Sequence, residues 1–174
     1  MPRSYLERVL LVAGAQNTGK STQLRSMFSD PRFGTARQVP TKRRVPETLA
    51  LSDGRRLYLR LTSPHEVGES LTEFIDKIVA KTAAGRWCVA SAVQVDAARR
   101  MPDLPEVVSK IIQRLSPERV RVAVLSPDRH AKTLASSAKL FDALWRIPGC
   151  EPHMIDARRR SANGLLLADT FDFA

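Results

Sequence analysis

The chain has 174 residues, 43% of them hydrophobic, enough to bury one substantial core and short for two. No stretch approaches the roughly 18 uninterrupted apolar residues of a membrane span, and two cysteines set far apart argue against a disulfide framework or a thiolate zinc site. Lysine and arginine number 28 against 18 acidic residues, a formal charge of +10, which raises the question of an acidic partner.

The opening stretch "MPRSYLERVLLVAG" has charges on both sides of Leu6 and no small-residue cleavage pattern. The expectation is an unprocessed, cytoplasmic, single-domain chain over residues 1–174 with no membrane contact. The basic residues fall in short clusters, Lys42-Arg43-Arg44, Arg55-Arg56, Arg99-Arg100 and Arg158-Arg159-Arg160. Aromatic residues, 6% of the chain, do not interleave with them as a base-stacking surface would require. These clusters read first as solvated surface, and second as a footprint for a protein or nucleic-acid partner.

Short apolar runs alternate with helical periodicity, the pattern of a mostly parallel sheet flanked by helices. A strand is predicted over residues 8–13 and a helix over 19–28. The polar, basic segment 29–46, interrupted by Pro31, Gly34 and Pro40, reads as a mobile loop. "ETLALSDGRRLYLRLT" shows two alternating runs around Asp53-Gly54, which predicts a β-hairpin and one antiparallel strand. Leu71, Phe74, Ile75, Ile78 and Val79 are spaced as on a helix, with Gly85 as its expected stop. There follow a strand over 86–95 ending at Asp96, a helix over 104–115, a strand over 119–125, a helix over 131–145 and a strand over 153–156. No element is assigned to the tail.

Chemistry concentrates between the first strand and the first helix. Gly14-Ala15-Gln16-Asn17-Thr18-Gly19-Lys20-Ser21 fits G-x-x-x-x-G-K-[ST] at every fixed position, with Thr22 next in line. Glycines let the backbone curl so that successive N–H groups point at phosphate oxygens, and the following helix start adds positive partial charge. In this pattern Lys20 reaches the β- and γ-phosphates, and the Ser21 hydroxyl ligates Mg²⁺.

On these residues the chain resembles the P-loop NTPase superfamily. The resemblance implies a three-layer α/β sandwich, with a mainly parallel sheet, one antiparallel edge strand, and ATP or GTP at the carboxyl ends of the strands. "DGRRLYLRLTSPHE" also resembles the second hairpin strand of small GTPase-like proteins, which runs into an Asp-x-x-Gly turn followed by His or Gln and Glu. Three departures stand beside that likeness. Leu61 or Thr62 replaces the magnesium-linked Asp, Pro64 replaces a Gly whose N–H contacts the γ-phosphate, and Ser126-Pro127-Asp128-Arg129 replaces the guanine-reading Asn-Lys-x-Asp. "RSAN" at residues 160–163 is a faint match to a base-contacting loop.

Asp96, at the end of a strand expected beside the first, is the candidate acid for Mg²⁺ next to Ser21. His65 is the candidate for positioning an attacking water, and Lys20 is the main catalytic cation. One of Arg37, Lys42, Arg43 and Arg44 is expected to close over the phosphates as a charge clamp. The leading functional expectation is an NTP-binding protein that acts as a slow Mg²⁺-dependent hydrolase or switch. A small-molecule or nucleoside kinase is the alternative, since Ser126-Pro127-Asp128-Arg129-His130 is similar to the Asp-Arg-(Tyr/His) of thymidylate kinase-like enzymes. A non-catalytic interaction module with a basic surface is the third.

Overall fold

The first apolar run forms β1, Ser4–Ala13, and its residues from Val9 to Ala13 are almost completely buried. Burial on both sides of a strand demands cover above and below, which places β1 inside a sheet. The computed structural model describes residues 4–173 and shows that sheet. β1 pairs in parallel with Gly85–Val93 on one side and Arg119–Leu125 on the other. In chain order the remaining strands are β2, Thr48–Ala50; β3, Arg56–Arg60; β4, the Gly85–Val93 strand; β5, the Arg119–Leu125 strand; and β6, Cys150–Ile155. Their spatial order is β2-β3-β4-β1-β5-β6, parallel throughout except for the antiparallel β2–β3 pair at one edge.

Helices cover both faces, giving a three-layer α/β arrangement. In chain order they are α1, Lys20–Ser26; α2, Pro64–Val67; α3, Leu71–Lys81; α4, Leu104–Leu115; α5, Ser137–Trp145; and α6, Arg160–Ala168. Successive β1 residues point to opposite faces. Val9 and Leu11 pack with Phe74 and Ile78 of α3, Val107 and Ile111 of α4, and Leu144 of α5. Leu10 and Val12 pack with Leu24 of α1 and Leu167 of α6 on the other side. No helix among the described residues is long and apolar enough to cross a membrane.

The predicted hairpin is present. Its turn holds Asp53 and Gly54 at φ 57° and 70°, the left-handed conformation that an Asp-Gly pair tolerates. The helix over 104–115 and the strand over 119–125 have the predicted bounds. Gly85, expected to stop a helix, opens β4 instead. α3 ends at Lys81: Thr82 still donates its N–H and hydroxyl to the Ile78 carbonyl, but its own backbone, at φ −113° and ψ 31°, leaves the helical region.

The helix predicted from residue 131 starts at Ser137. Asp128 accepts bonds from the N–H groups of His130 and Lys132, and Ala131 is left-handed at φ 64°, so this stretch is a turn. The last strand begins earlier than predicted, at Cys150, because Pro152 is tolerated on an edge strand. The segment expected to be a mobile loop contains short 3₁₀ turns at Pro31–Phe33 and Lys42–Arg44. It is anchored by Phe33, whose ring lies 5.3 Å from that of Phe28, and by Arg25, which donates to the Pro40 carbonyl.

The tail forms α6, for which the sequence showed no clear pattern. Its docking depends on Gly164: a Cβ there would lie 2.1 Å from the Ser26 carbonyl oxygen, so only glycine lets α6 reach α1.

Candidate functional site

The loop over residues 14–22 leaves β1 and turns into α1. Gly14 donates to the Val93 carbonyl, so the loop starts tied to β4. It then folds back on itself: the Thr18 hydroxyl donates to the Ala15 carbonyl at 2.8 Å. A Cβ on Gly14 would fall 2.5 Å from that hydroxyl, so the fold-back needs glycine. Asn17 at φ 61° and Gly19 at φ 103° supply the left-handed steps that curl the backbone.

Among the described residues, the backbone N–H groups from Ala15 to Thr22 donate to no acceptor in the protein. The first bond that returns to the loop is from Gln23 N–H to the Gly19 carbonyl, at 3.0 Å. A curled row of unpaired N–H groups is a concave donor surface for an anion.

That surface lines a cavity of about 120 Å³ together with Lys20, Lys42, Arg129 and Glu66. Each cation reaches it from a different part of the chain. Lys20 opens α1, Lys42 comes from its 3₁₀ turn, and Arg129 from the turn after β5, where its N–H donates to the Thr18 carbonyl. Lys20 is only 5% exposed, and its ammonium donates to the Ala15 carbonyl at 2.7 Å and lies 3.5 Å from Glu66. Burial holds its pKa below the usual lysine value, while Glu66 pulls it back up. A partly neutralised cation beside unpaired N–H groups is suited to an anion that outbids one carboxylate.

The residues expected at this site separate into two groups. Asn17, Thr18, Gly19, Lys20, Ser21 and Thr22 line the cavity, with Gly14 and Ala15 shaping it and Gln16 exposed on the loop. Of the four clamp candidates, Lys42 lines the cavity and Arg37, Arg43 and Arg44 do not.

His65 is turned inward and 1% exposed. Its Nδ1 accepts from Gln94 N–H at 3.4 Å and its Nε2 faces the Pro102 carbonyl at 3.2 Å, the pattern of a neutral ring donating from Nε2. Burial lowers its pKa. The ring positions the start of α2 against β4, and the next residue, Glu66, presents its carboxylate to the cavity. Pro64 occupies the first turn of α2, where its missing N–H costs nothing.

Asp96 is exposed and faces a separate cavity shared with Asp103, Ser136 and Lys139 between α4 and α5. It lies two residues past the Gln94 that holds His65, and it is not among the residues lining the cavity beside Ser21. Asp128 is committed to its own turn, and Asn163 is buried inside α6, where it donates to Gln23 and to the Asp156 carbonyl. Neither side chain is free to read a base.

Glu66 and Arg129 had no role assigned from sequence. Glu66 directly follows the singled-out His65, but only the turn of α2 decides which of the two faces the loop. The basic clusters also resolve differently from one another. Arg55 is buried, 3.7 Å from Glu7, and donates to the Phe171 carbonyl, so it braces the core. Arg158 and Arg159 pair with Asp156, and Arg100 pairs with Glu73. Among the described residues Lys42, Arg43 and Arg44 form no ion pair and remain exposed.

No protein-family model matches the chain, and no curated protein matches it.

Proposed function

We propose that the chain binds a nucleoside triphosphate, ATP or GTP, and acts as a slow Mg²⁺-dependent hydrolase or switch of the P-loop NTPase kind. The observation that carries this reading is the row of acceptor-free N–H groups from Ala15 to Thr22, curled around a cavity that three cations reach. Nothing in the packing of α1 requires a buried lysine there; an anion gives Lys20 its purpose.

In this reading the loop N–H groups and Lys20 hold the β- and γ-phosphates, while Lys42 and Arg129 flank them. All of these donors stabilise charge on the phosphoryl group as its bond to the leaving oxygen lengthens, which is the larger part of phosphoryl-transfer catalysis. Glu66, not His65, is the polar side chain placed to orient a water. Mg²⁺ keeps most of its ligands as water and phosphate oxygens, so the Ser21 hydroxyl with the Glu66 carboxylate in the same cavity is a donor set that fits it. Bound there, the ion would neutralise phosphate charge. The γ-phosphate contact that Pro64 cannot make, and the absence of an acid in the expected turn, favour slow turnover over a fast switch.

Calorimetric titration with ATP and GTP, with and without Mg²⁺, tests the reading against a Lys20→Ala variant. Saturable binding that the variant loses supports it. Absence of binding by either nucleotide at about 1 mM overturns it and leaves the basic interaction module.

A further inference from the structure

The cations that the fold leaves unpaired gather at one edge of the sheet. β1, β5 and β6 are parallel neighbours, so the segments that follow them emerge side by side at their carboxyl ends, about 5 Å apart from strand to strand. After β1 comes the 14–22 loop, after β5 the turn with Arg129, His130 and Lys132, and after β6 the run Arg158-Arg159-Arg160. Lys42 lines the same cavity as Arg129, which brings the Lys42-Arg43-Arg44 turn to that edge as well.

The opposite edge is built differently. There Glu118 holds Arg8, and Glu7 holds Arg55 and Arg86. At the carboxyl edge the acids are few and already engaged: Asp156 pairs with Arg158 and Arg159, and Asp128 accepts from N–H groups of its own turn. Among the described residues Lys42, Arg43, Arg44, Arg129, Lys132 and Arg160 form no ion pair, and all are exposed. Much of the formal charge of +10 is therefore presented on one face.

The turns that carry these cations are fixed. Asp128 accepts from the His130 and Lys132 N–H groups, and Asp156 from the Arg158 N–H, so each carboxylate stiffens the backbone beneath the charges. A positioned cation costs less order on binding than a free one. Arginine predominates, and its guanidinium fork matches phosphate oxygens. None of the three basic segments carries a Phe, Tyr, Trp or large aliphatic side chain, so the face offers no platform for an unstacked base and no anchor for a lipid. A duplex suits it better: the bases are hidden, and the backbones present one negative charge per about 1.7 Å of axis.

We propose that the carboxyl edge of the sheet binds the phosphate backbones of a nucleic-acid duplex without reading its sequence. The basic turns on either side of the phosphate cavity contact the duplex across its width. This surface stands on its own charges and does not depend on the triphosphate binding proposed above.

The test is fluorescence anisotropy of the full chain with a labelled short DNA duplex, the matching RNA duplex and a DNA single strand, over a range of salt concentrations. Saturable binding of either duplex, tighter than the single strand and falling linearly in log affinity against log salt, is the expected result. Arg44→Glu and Arg160→Glu, neither of which lines the phosphate cavity, should each weaken duplex binding at least about fivefold and flatten the salt slope by about one. Arg160→Glu places a carboxylate in the first turn of α6, where it favours the helix, so lost binding there is not lost folding.

Arg146→Glu is the control. Arg146 is exposed at the end of α5, without an ion pair among the described residues, and β6 separates it from the carboxyl edge by about 20 Å, beyond the screening length. It changes the net charge by the same amount and should alter duplex affinity by no more than about twofold. Equal losses in all three variants would reduce the binding to general charge attraction and overturn the proposal. So would a single strand bound as tightly as duplex, or no duplex binding at low salt.

Lys20, 5% exposed, lies beneath this face, so Lys20→Ala should keep duplex binding while losing the triphosphate. Duplex binding lost with Lys20 would place the anion in the phosphate cavity and overturn the proposal. Duplex binding without binding of a nonhydrolysable ATP or GTP analogue overturns the nucleotide reading and leaves this one standing, and the converse result does the reverse.

Discussion

The Lys20 ammonium lies 3.5 Å from a Glu66 carboxylate oxygen, so the loop's own cation is held by an internal anion. Any phosphate entering the cavity must displace or rearrange that pair. Glu66→Gln should therefore strengthen triphosphate binding in the absence of Mg²⁺, by up to about tenfold for a partly buried pair of this kind. With Mg²⁺ the same variant should lose part of the metal's benefit. Calorimetry under both conditions separates the two effects, and a variant that binds more weakly without Mg²⁺ would contradict the competition.

Arg129 contributes a cation from the far side of the cavity and a backbone bond to the loop. Arg129→Ala keeps the backbone bond and removes the charge together with the exposed Nε–H bond to His130 Nε2. Triphosphate affinity should fall about tenfold, in the range of a charge-assisted hydrogen bond, with unfolding unchanged. Equal affinities in the variant and the parent would take Arg129 out of the site.

Gly164 stands where a Cβ would meet the Ser26 carbonyl oxygen at 2.1 Å. Backbone on both sides leaves little room to yield, so Gly164→Ala should cost about 3 kcal/mol or more by forcing α6 away from α1. Urea unfolding reads this directly. A variant as stable as the parent would mean that α6 docks in some other way.

Asn163 closes a buried polar network: it donates to Gln23 and the Asp156 carbonyl, and Gln23 donates to the Ala157 carbonyl. Asn163→Ala should destabilise the fold by about 1–3 kcal/mol by orphaning buried partners. Its ATP-to-GTP affinity ratio should stay that of the parent, whereas a base-reading asparagine would shift the ratio.

His65 is buried and its pKa is lowered by that burial. A ring that stays neutral when folded and takes a proton when unfolded makes the unfolded state bind more protons over that interval. The contribution is present above the unfolded value of 6.5 and is lost as pH falls through the lower folded value. Stability should fall more steeply from about pH 7.5 to about pH 5 in the parent than in His65→Gln. Parallel pH profiles for the two proteins would show that His65 has no such part.

Much of this architecture is local enough to be read along the chain. The uninterrupted apolar run of β1, the alternation around Asp53-Gly54 and the helical spacing from Leu104 to Leu115 each depend on neighbours within a few residues. So does the curl of the 14–22 loop, because Gly14 and Gly19 act on their own stretch of backbone. Those features follow from short-range sequence alone.

What faces the loop was decided by the tertiary structure. Lys42, Glu66 and Arg129 arrive from three separate segments, and no spacing in the chain encodes where strand ends bring them together. Whether His65 or Glu66 points at the loop depends on how α2 packs against β4, which turns the ring inward and the carboxylate outward. α6 has no clear signature along the chain because Asn163 and Gly164 are poor helix formers; they are held by contacts with α1 some 140 residues earlier in the chain. Side-chain direction and helix docking are set by such long-range contacts, so they exist only once the sheet has assembled.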